Sequence, residues 1–217
     1  MEIRTFTGDG LGENAYLATC PSSGQCVAVD PGAGAPALVD AIAADDLDLV
    51  AILLTHAHLD HIEGVVDVRA RHPEVPIWLH PADRGLYDGV QRQGAMFGLP
   101  VDEQPPPTDE LVPGTTFDFG GCSFEIRFAP GHAPGHVVFV SHADRLALVG
   151  DVVFAGSIGR TDLPGGDFRT LIDSIRSAVL TLDDDFTLYT GHGPSTTVGH
   201  ERVTNPFLVP HYGGELA

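Results

Sequence analysis

The stretch Leu49-Val-Ala-Ile-Leu-Leu-Thr55-His56-Ala57-His58-Leu59-Asp60-His61 decides the fold. It begins as an unbroken apolar run, the mark of a strand buried on both faces. It then opens into Leu59, Ile62, Val65 and Val66 at helical spacing, with Asp67, Arg69 and Arg71 on the wet side. Where a buried strand gives way to a helix, α/β sheets place their ligand crevices. His56, His58, Asp60 and His61, all of metal-ligating type, fall together at that point. Alternation along the strand end can aim His56 and His58 at one point. The helical spacing that follows can aim Asp60 and His61 at a neighbouring one. That pattern suits two metal ions sharing a cleft rather than one.

Working outward, residues 2–6, 14–20 and 25–30 read as strands separated by Gly, Ser and Pro turns, and 35–45 as a helix. A strand is expected at 76–79 and a short helix after Pro81. Residues 93–115, carrying Pro105-Pro106-Pro107 and little periodicity, read as a long surface loop or lid, with Met96 and Phe97 in it. Strands follow at 116–119, 122–128, 137–142 and 145–150, then a helix at 168–180, a strand at 186–190 and a last helical turn at 197–204. The class is α/β, with two sheets and helices outside them. Three further candidate ligands leave apolar strands in the same manner: His132 in Pro130-Gly131-His132, Asp151 after Leu146-Ala-Leu-Val-Gly150, and His192 in Gly191-His192-Gly193.

Composition excludes several classes. The 217 residues carry a net charge of −19, and every basic residue is Arg, with no Lys in the chain. Nucleic acid and anionic membrane surfaces both need a basic face, so neither is an expected partner. No apolar run approaches the roughly 20 residues that span a bilayer, and the N-terminus lacks the basic-then-apolar pattern of a signal peptide. Three Cys suit a reducing compartment, so a cytoplasmic location is expected. Gly10-Leu-Gly12-Glu-Asn-Ala15 matches a dinucleotide fingerprint by letters, but it precedes a strand and reads as a turn.

In order along the chain, His56-Ala-His58-Leu-Asp60-His61, His132, Asp151 and His192 resemble the motifs of the metallo-β-lactamase superfamily. The resemblance implies an αββα sandwich: two mixed β-sheets flanked by helices, with residues 1–217 as a single hydrolase domain. It implies that His56, His58 and His132 bind one metal ion, that Asp60, His61 and His192 bind another, and that Asp151 bridges them. A donor set of imidazole and carboxylate without thiolate suits two divalent ions per chain, Zn, Fe or Mn. Such a pair lowers the pKa of a bridging water towards 7 and polarises a carbonyl, with Asp60 both binding metal and orienting the nucleophile.

The strings Pro130-Gly-His-Ala-Pro-Gly-His136, Gly156-Ser-Ile-Gly-Arg-Thr-Asp162 and Gly191-His-Gly-Pro-Ser195 are similar to the short bacterial glyoxalase II type. That likeness implies hydrolysis of an S-(2-hydroxyacyl)glutathione, such as S-lactoylglutathione, to glutathione and a 2-hydroxy acid. It also implies that Arg160 contacts the substrate. Few residues follow His192, so the C-terminal helical substrate domain of the longer enzymes is not expected. The expected partner is a small thioester, and the expected assembly a monomer or small homo-oligomer. The alternative is a mononuclear iron persulfide dioxygenase using His56, His132 and Asp151, and the full ligand set weighs against it. Lactonase activity, or a metal-binding role without catalysis, stand further back.

Overall fold

The computed structural model describes residues 1–209. Its first half contains strands β1 (Glu2–Thr7), β2 (Asn14–Thr19) and β3 (Gln25–Val29), helix α1 (Ala35–Ala44) and strand β4 (Asp48–Leu53). Helices α2 (Leu59–Ile62) and α3 (Val65–Arg71), strand β5 (Ile77–Leu79), helices α4 (Arg84–Tyr87) and α5 (Val90–Phe97) and strand β6 (Asp109–Glu110) follow. The second half contains β7 (Thr116–Phe119), β8 (Cys122–Phe128), β9 (Val137–Ser141), β10 (Leu146–Gly150) and a small hairpin of β11 (Val153–Phe154) and β12 (Ser157–Ile158). Helix α6 (Phe168–Ser174), which runs on as a π-helical turn, β13 (Thr187–Thr190), β14 (Thr196–Thr197) and α7 (Val198–Thr204) complete it.

Two mixed sheets result. One runs β1-β2-β3-β4-β5-β6 and the other β14-β13-β10-β9-β8-β7. Their central strands are buried on both faces, so each alternates between two different apolar neighbours. On β2, Leu17 faces the helices while Tyr16 and Ala18 face the opposite sheet. On β9, Val138 and Val140 meet α6 and its π turn, while Val137 and Phe139 face the middle. Between the sheets Val27, Val29 and Leu53 pack with Phe124, Ile126, Phe139 and Leu148. Each such buried aliphatic or aromatic side chain contributes roughly 1.5–3 kcal/mol. Leu38 and Ile42 of α1 with Val65 and Val68 of α3 cover one outer face, and Leu171, Ile172 and Ile175 cover the other. The arrangement is the αββα sandwich.

Three expectations need correction. The helix after His61 is broken at Gly64, whose N–H bonds Pro31 O at 2.9 Å. A Cβ there would lie 2.2 Å from Gly32 O, so that crossing requires glycine. Val68 rather than Val66 takes the core position in α3. The expected loop at 93–115 contains the end of α5, closed by left-handed Gly98 (φ 70°), and β6 at the sheet edge. Its proline run hid both ends of that segment. The 153–158 hairpin was too short to carry periodicity.

Candidate metal centre

Every proposed ligand leaves the C-terminal end of a strand, and both sheets present those ends to one rim. His56, His58, Asp60 and His61 follow β4, His132 follows β8, Asp151 follows β10 and His192 follows β13. The backbone there needs glycine twice. Gly150 sits at φ 47°, and a Cβ on it would meet Thr55 Oγ1 at 2.5 Å. A Cβ on Gly191 would lie 2.1 Å from Asp151 Oδ1.

The seven side chains form two adjoining groups. His56, His58 and His132 place one nitrogen each within 4.8 Å of one another, and so do the donor atoms of Asp60, His61 and His192. In the first group His58 Nδ1 lies 2.8 Å from His132 Nε2. In the second, His192 Nε2 lies 3.2 Å from Asp60 Oδ2. Asp151 reaches both, with Oδ1 3.3 Å from His61 Nε2 and Oδ2 3.4 Å from His132 Nε2.

Residues outside this set fix which nitrogens are free. Asp30 follows β3 in the left-handed region (φ 47°), a conformation that Asp tolerates. Its carboxylate accepts from Thr55 N at 2.7 Å and from Thr55 Oγ1 at 2.6 Å. With its proton committed, that hydroxyl accepts from His56 Nδ1 at 3.0 Å. Asp30 also accepts from His61 Nδ1 at 3.0 Å, and Arg160 O accepts from His132 Nδ1 at 2.7 Å. The network therefore assigns the Nε2 lone pairs of His56, His61 and His132 to the cleft.

Two buried groups tie the ligand loops together. Asp83, fully buried, accepts from Ala57 N at 3.0 Å and also from Gly135 N, joining the His56–His58 turn to the loop after His132. Burial raises its pKa to about 6 against those two donors. His136 stacks on His56 with ring centroids 4.7 Å apart, and its Nε2 accepts from Asp151 N at 3.1 Å. Glu13, also buried, leaves both carboxyl oxygens without a hydrogen-bond partner, and burial raises its pKa well above the ordinary range.

The two groups differ in charge. Burial, reinforced by neighbouring imidazoles, lowers His56 well below its ordinary pKa and His58 to about 3. Burial also lowers His132, against the pull of Asp151. In the second group burial opposes protonation, yet Asp151 and Asp60 raise His61 well above its usual value. His192 is raised by its bond to Asp60, again against burial. The carboxyls of Asp60 and Asp151 are lowered despite burial, chiefly by His61.

Metal ions fit this constellation. His56 Nε2, His61 Nε2 and Asp151 Oδ1 are buried donors with no hydrogen-bond partner, an arrangement that costs stability unless something binds them. Imidazole and carboxylate donors in two adjoining groups are compatible with a dinuclear site.

Arg160 lies at the edge of a cleft of ≈ 350 Å³ that opens over Asp60, Asp151 and His192. Phe97, at the end of α5, lines the same cleft, whereas Met96 points to solvent. His200 is exposed on α7, and His211 lies outside the described residues. Asp30 carried the same sequence signal as the chosen ligands, a polar residue ending an apolar strand. Asp83 carried none, because it falls in the short helix expected after Pro81, where an acidic residue is ordinary.

Comparison with known proteins agrees with this geometry. The sequence pattern that describes the Metallo-beta-lactamase superfamily matches residues 8–192. The hydroxyacylglutathione hydrolase GloC of Haemophilus influenzae is 43% identical over 182 residues, covering 83% of this chain and 85% of that protein. The crystal structure of the BLEG-1 B3 metallo-β-lactamase superposes with a TM-score of 0.89 at 34% identity, covering 96% of this chain and all of that one. That of TTHA1623 in a di-iron-bound form gives 0.86 at 38% identity, covering 94% of this chain and all of that one. The chain belongs to the metallo-β-lactamase superfamily.

Proposed function

We propose that the chain, as one hydrolase domain, cleaves thioesters of the S-(2-hydroxyacyl)glutathione type to a thiol and a 2-hydroxy acid. One observation carries the reading: two complete donor groups share a cleft, and Asp151 reaches into both. The likeness to GloC supports the substrate type. His56, His58 and His132 would hold one divalent ion, Asp60, His61 and His192 the second, and Asp151 both. Such a pair supplies hydroxide at neutral pH and a Lewis acid for the carbonyl oxygen.

The chain's own residues do the rest. Asp60, its pKa lowered and its carboxylate facing the cleft, accepts a hydrogen bond from the attacking oxygen and so aims its lone pair at the carbonyl carbon. Asp30, Thr55 and Asp83 fix the ligand rings before substrate arrives. The thiolate leaves without a general acid, since a free thiol has a pKa of about 8.5. Zn, Fe and Mn all suit the donors, and a small uncharged or anionic thioester in the cytoplasm is the proposed partner. The chain's acidity opposes nucleic acid in that role.

The test pairs metal analysis with two assays on the metal-loaded protein. S-lactoylglutathione hydrolysis with two ions per chain and no oxygen uptake is expected. One iron per chain, with oxygen uptake on glutathione persulfide and no hydrolysis, would overturn the reading in favour of the dioxygenase.

A further inference from the structure

The cleft over the ligands is walled by Leu11, Leu59, Phe97, Phe154, Ile158 and Leu163. Leu11 and Phe97 are 49% and 47% exposed, so the apolar wall continues outward to the rim. The polar side chains of the wall that do not belong to the ligand set are few. Gln93 is fully engaged inward: its Nε2 donates to Ala57 O and Leu86 O, each at 2.9 Å, and its Oε1 accepts from Leu59 N at 3.1 Å. Among the described residues Arg160 is the one Arg of the lining, and it is paired with its neighbour. Its Nε and one terminal nitrogen donate to the two oxygens of Asp162, both at 2.7 Å. The pair takes the Nε side of the guanidinium and offsets its charge, so an incoming carboxylate finds only the Nη1 end open. No Lys exists in the chain to replace it, and a net charge of −19 repels an anion at long range.

From this juxtaposition we infer that the cleft selects thioesters with an uncharged, apolar acyl or carrier portion over glutathione thioesters, and that Asp162 contributes to this preference by offsetting the charge of Arg160. The inference rests on the thioester reading above and concerns only what flanks the scissile bond. An apolar tail displaces water from Leu11, Phe97 and Phe154 on binding. A glutathione portion presents carboxylates there that meet an Arg160 whose charge Asp162 already offsets, and so gain less on leaving water.

The test compares kcat/KM of the metal-loaded protein on S-lactoylglutathione, S-lactoyl-N-acetylcysteamine and S-(2-hydroxyoctanoyl)-N-acetylcysteamine. The two neutral thioesters are expected to exceed S-lactoylglutathione, with the longer acyl chain leading by about tenfold or more, a difference of about 1.4 kcal/mol. Asp162→Asn is expected to narrow the ratio by raising the glutathione thioester several-fold, and Phe97→Asp to narrow it by lowering the octanoyl compound. Equal or better use of S-lactoylglutathione, or a tenfold selective loss on it in Arg160→Ala, overturns the inference. Calorimetry with unreactive S-octyl thioethers of glutathione and N-acetylcysteamine reads the same preference without turnover. If no thioester is hydrolysed, the thioester reading fails, and the thioether comparison still decides the preference of the cleft: tighter binding of the neutral thioether supports it, and equal or weaker binding overturns it.

Discussion

The two donor groups are built from similar residues and prepared in opposite ways. His56, His58 and His132 are buried together, and burial keeps them neutral with lone pairs ready. Asp60 and His192 line the cleft while His61 is fully buried, and the carboxylates of Asp60 and Asp151 favour the protonated form of both imidazoles. An ion entering the first group meets imidazoles that burial keeps neutral, whereas one entering the second competes with the protonation of His61 that Asp151 and Asp60 favour. Disfavouring a proton by burial and favouring it by pairing therefore give two groups of different pH sensitivity within one cleft.

The largest expected effect comes from removing what the groups share. Asp151→Ala should lower hydrolysis by about a thousandfold or more and leave the protein without its full metal content, read by elemental analysis. Full occupancy in that variant would break the idea that Asp151 joins the two groups. Next, acidification should separate them. Between pH 8 and pH 6 the affinity of the second group should fall more steeply than that of the three-histidine group. Metal titrations at the two pH values check this, and parallel loss from both groups contradicts the comparison.

The supporting residues should give smaller losses, of about 10–100-fold in metal affinity. Asp30→Asn removes an acceptor that serves His61 directly and His56 through Thr55, so both groups should weaken. Asp83→Asn leaves one of two backbone N–H donors facing an amide NH2, at about 1–3 kcal/mol, and should weaken the three-histidine group first. Competition with a chelator orders these variants, and a stronger effect of Asp83→Asn on the second group would count against its assigned place.

The last effect concerns the metal-free chain and is read as stability, not as metal affinity or rate. His58 is depressed to about 3, so between pH 6.5 and 3 the unfolded chain takes a proton that the folded one refuses. Stability should fall on acidification through that window by about 1.4 kcal/mol per pH unit from this group. The raised pKa of His61 acts in the opposite sense. Its contribution is complete below pH 6.5 and is lost as pH rises through the folded value. Denaturant midpoints against pH, for the parent and for His58→Ala, check the sign, and the variant's slope should be shallower.

Much of this was legible from the sequence, for reasons that particular residues make plain. The unbroken run Leu49–Leu54 announced a central strand because a strand buried on both faces tolerates no polar break. The candidate ligands stood out because polar residues at the ends of apolar strands, three of them beside glycine, are uncommon in a buried setting. Helix α5 and β6 stayed hidden, since short elements beside a proline run carry little period. Asp83 was illegible for a different reason: it acts on backbone N–H groups far along the chain, and no local pattern records that contact. The engagement of Arg160 by Asp162 was likewise absent from its letters, although the two residues are neighbours.

The distribution of ligands along the chain has a consequence for synthesis. The three-histidine group takes His56 and His58 from the first sheet's half and His132 from the second, and the other group is incomplete until His192 has been made. A nascent chain arrested short of that point lacks a complete second set, however well its first sheet has formed. Under the two-ion reading proposed above, full loading requires that translation has passed His192 and that both sheets have met. Metal adds to the stability of the folded state as RT ln(1 + [M]/Kd) for each site. Unfinished chains forgo part of that increment and are the easier prey for proteolysis.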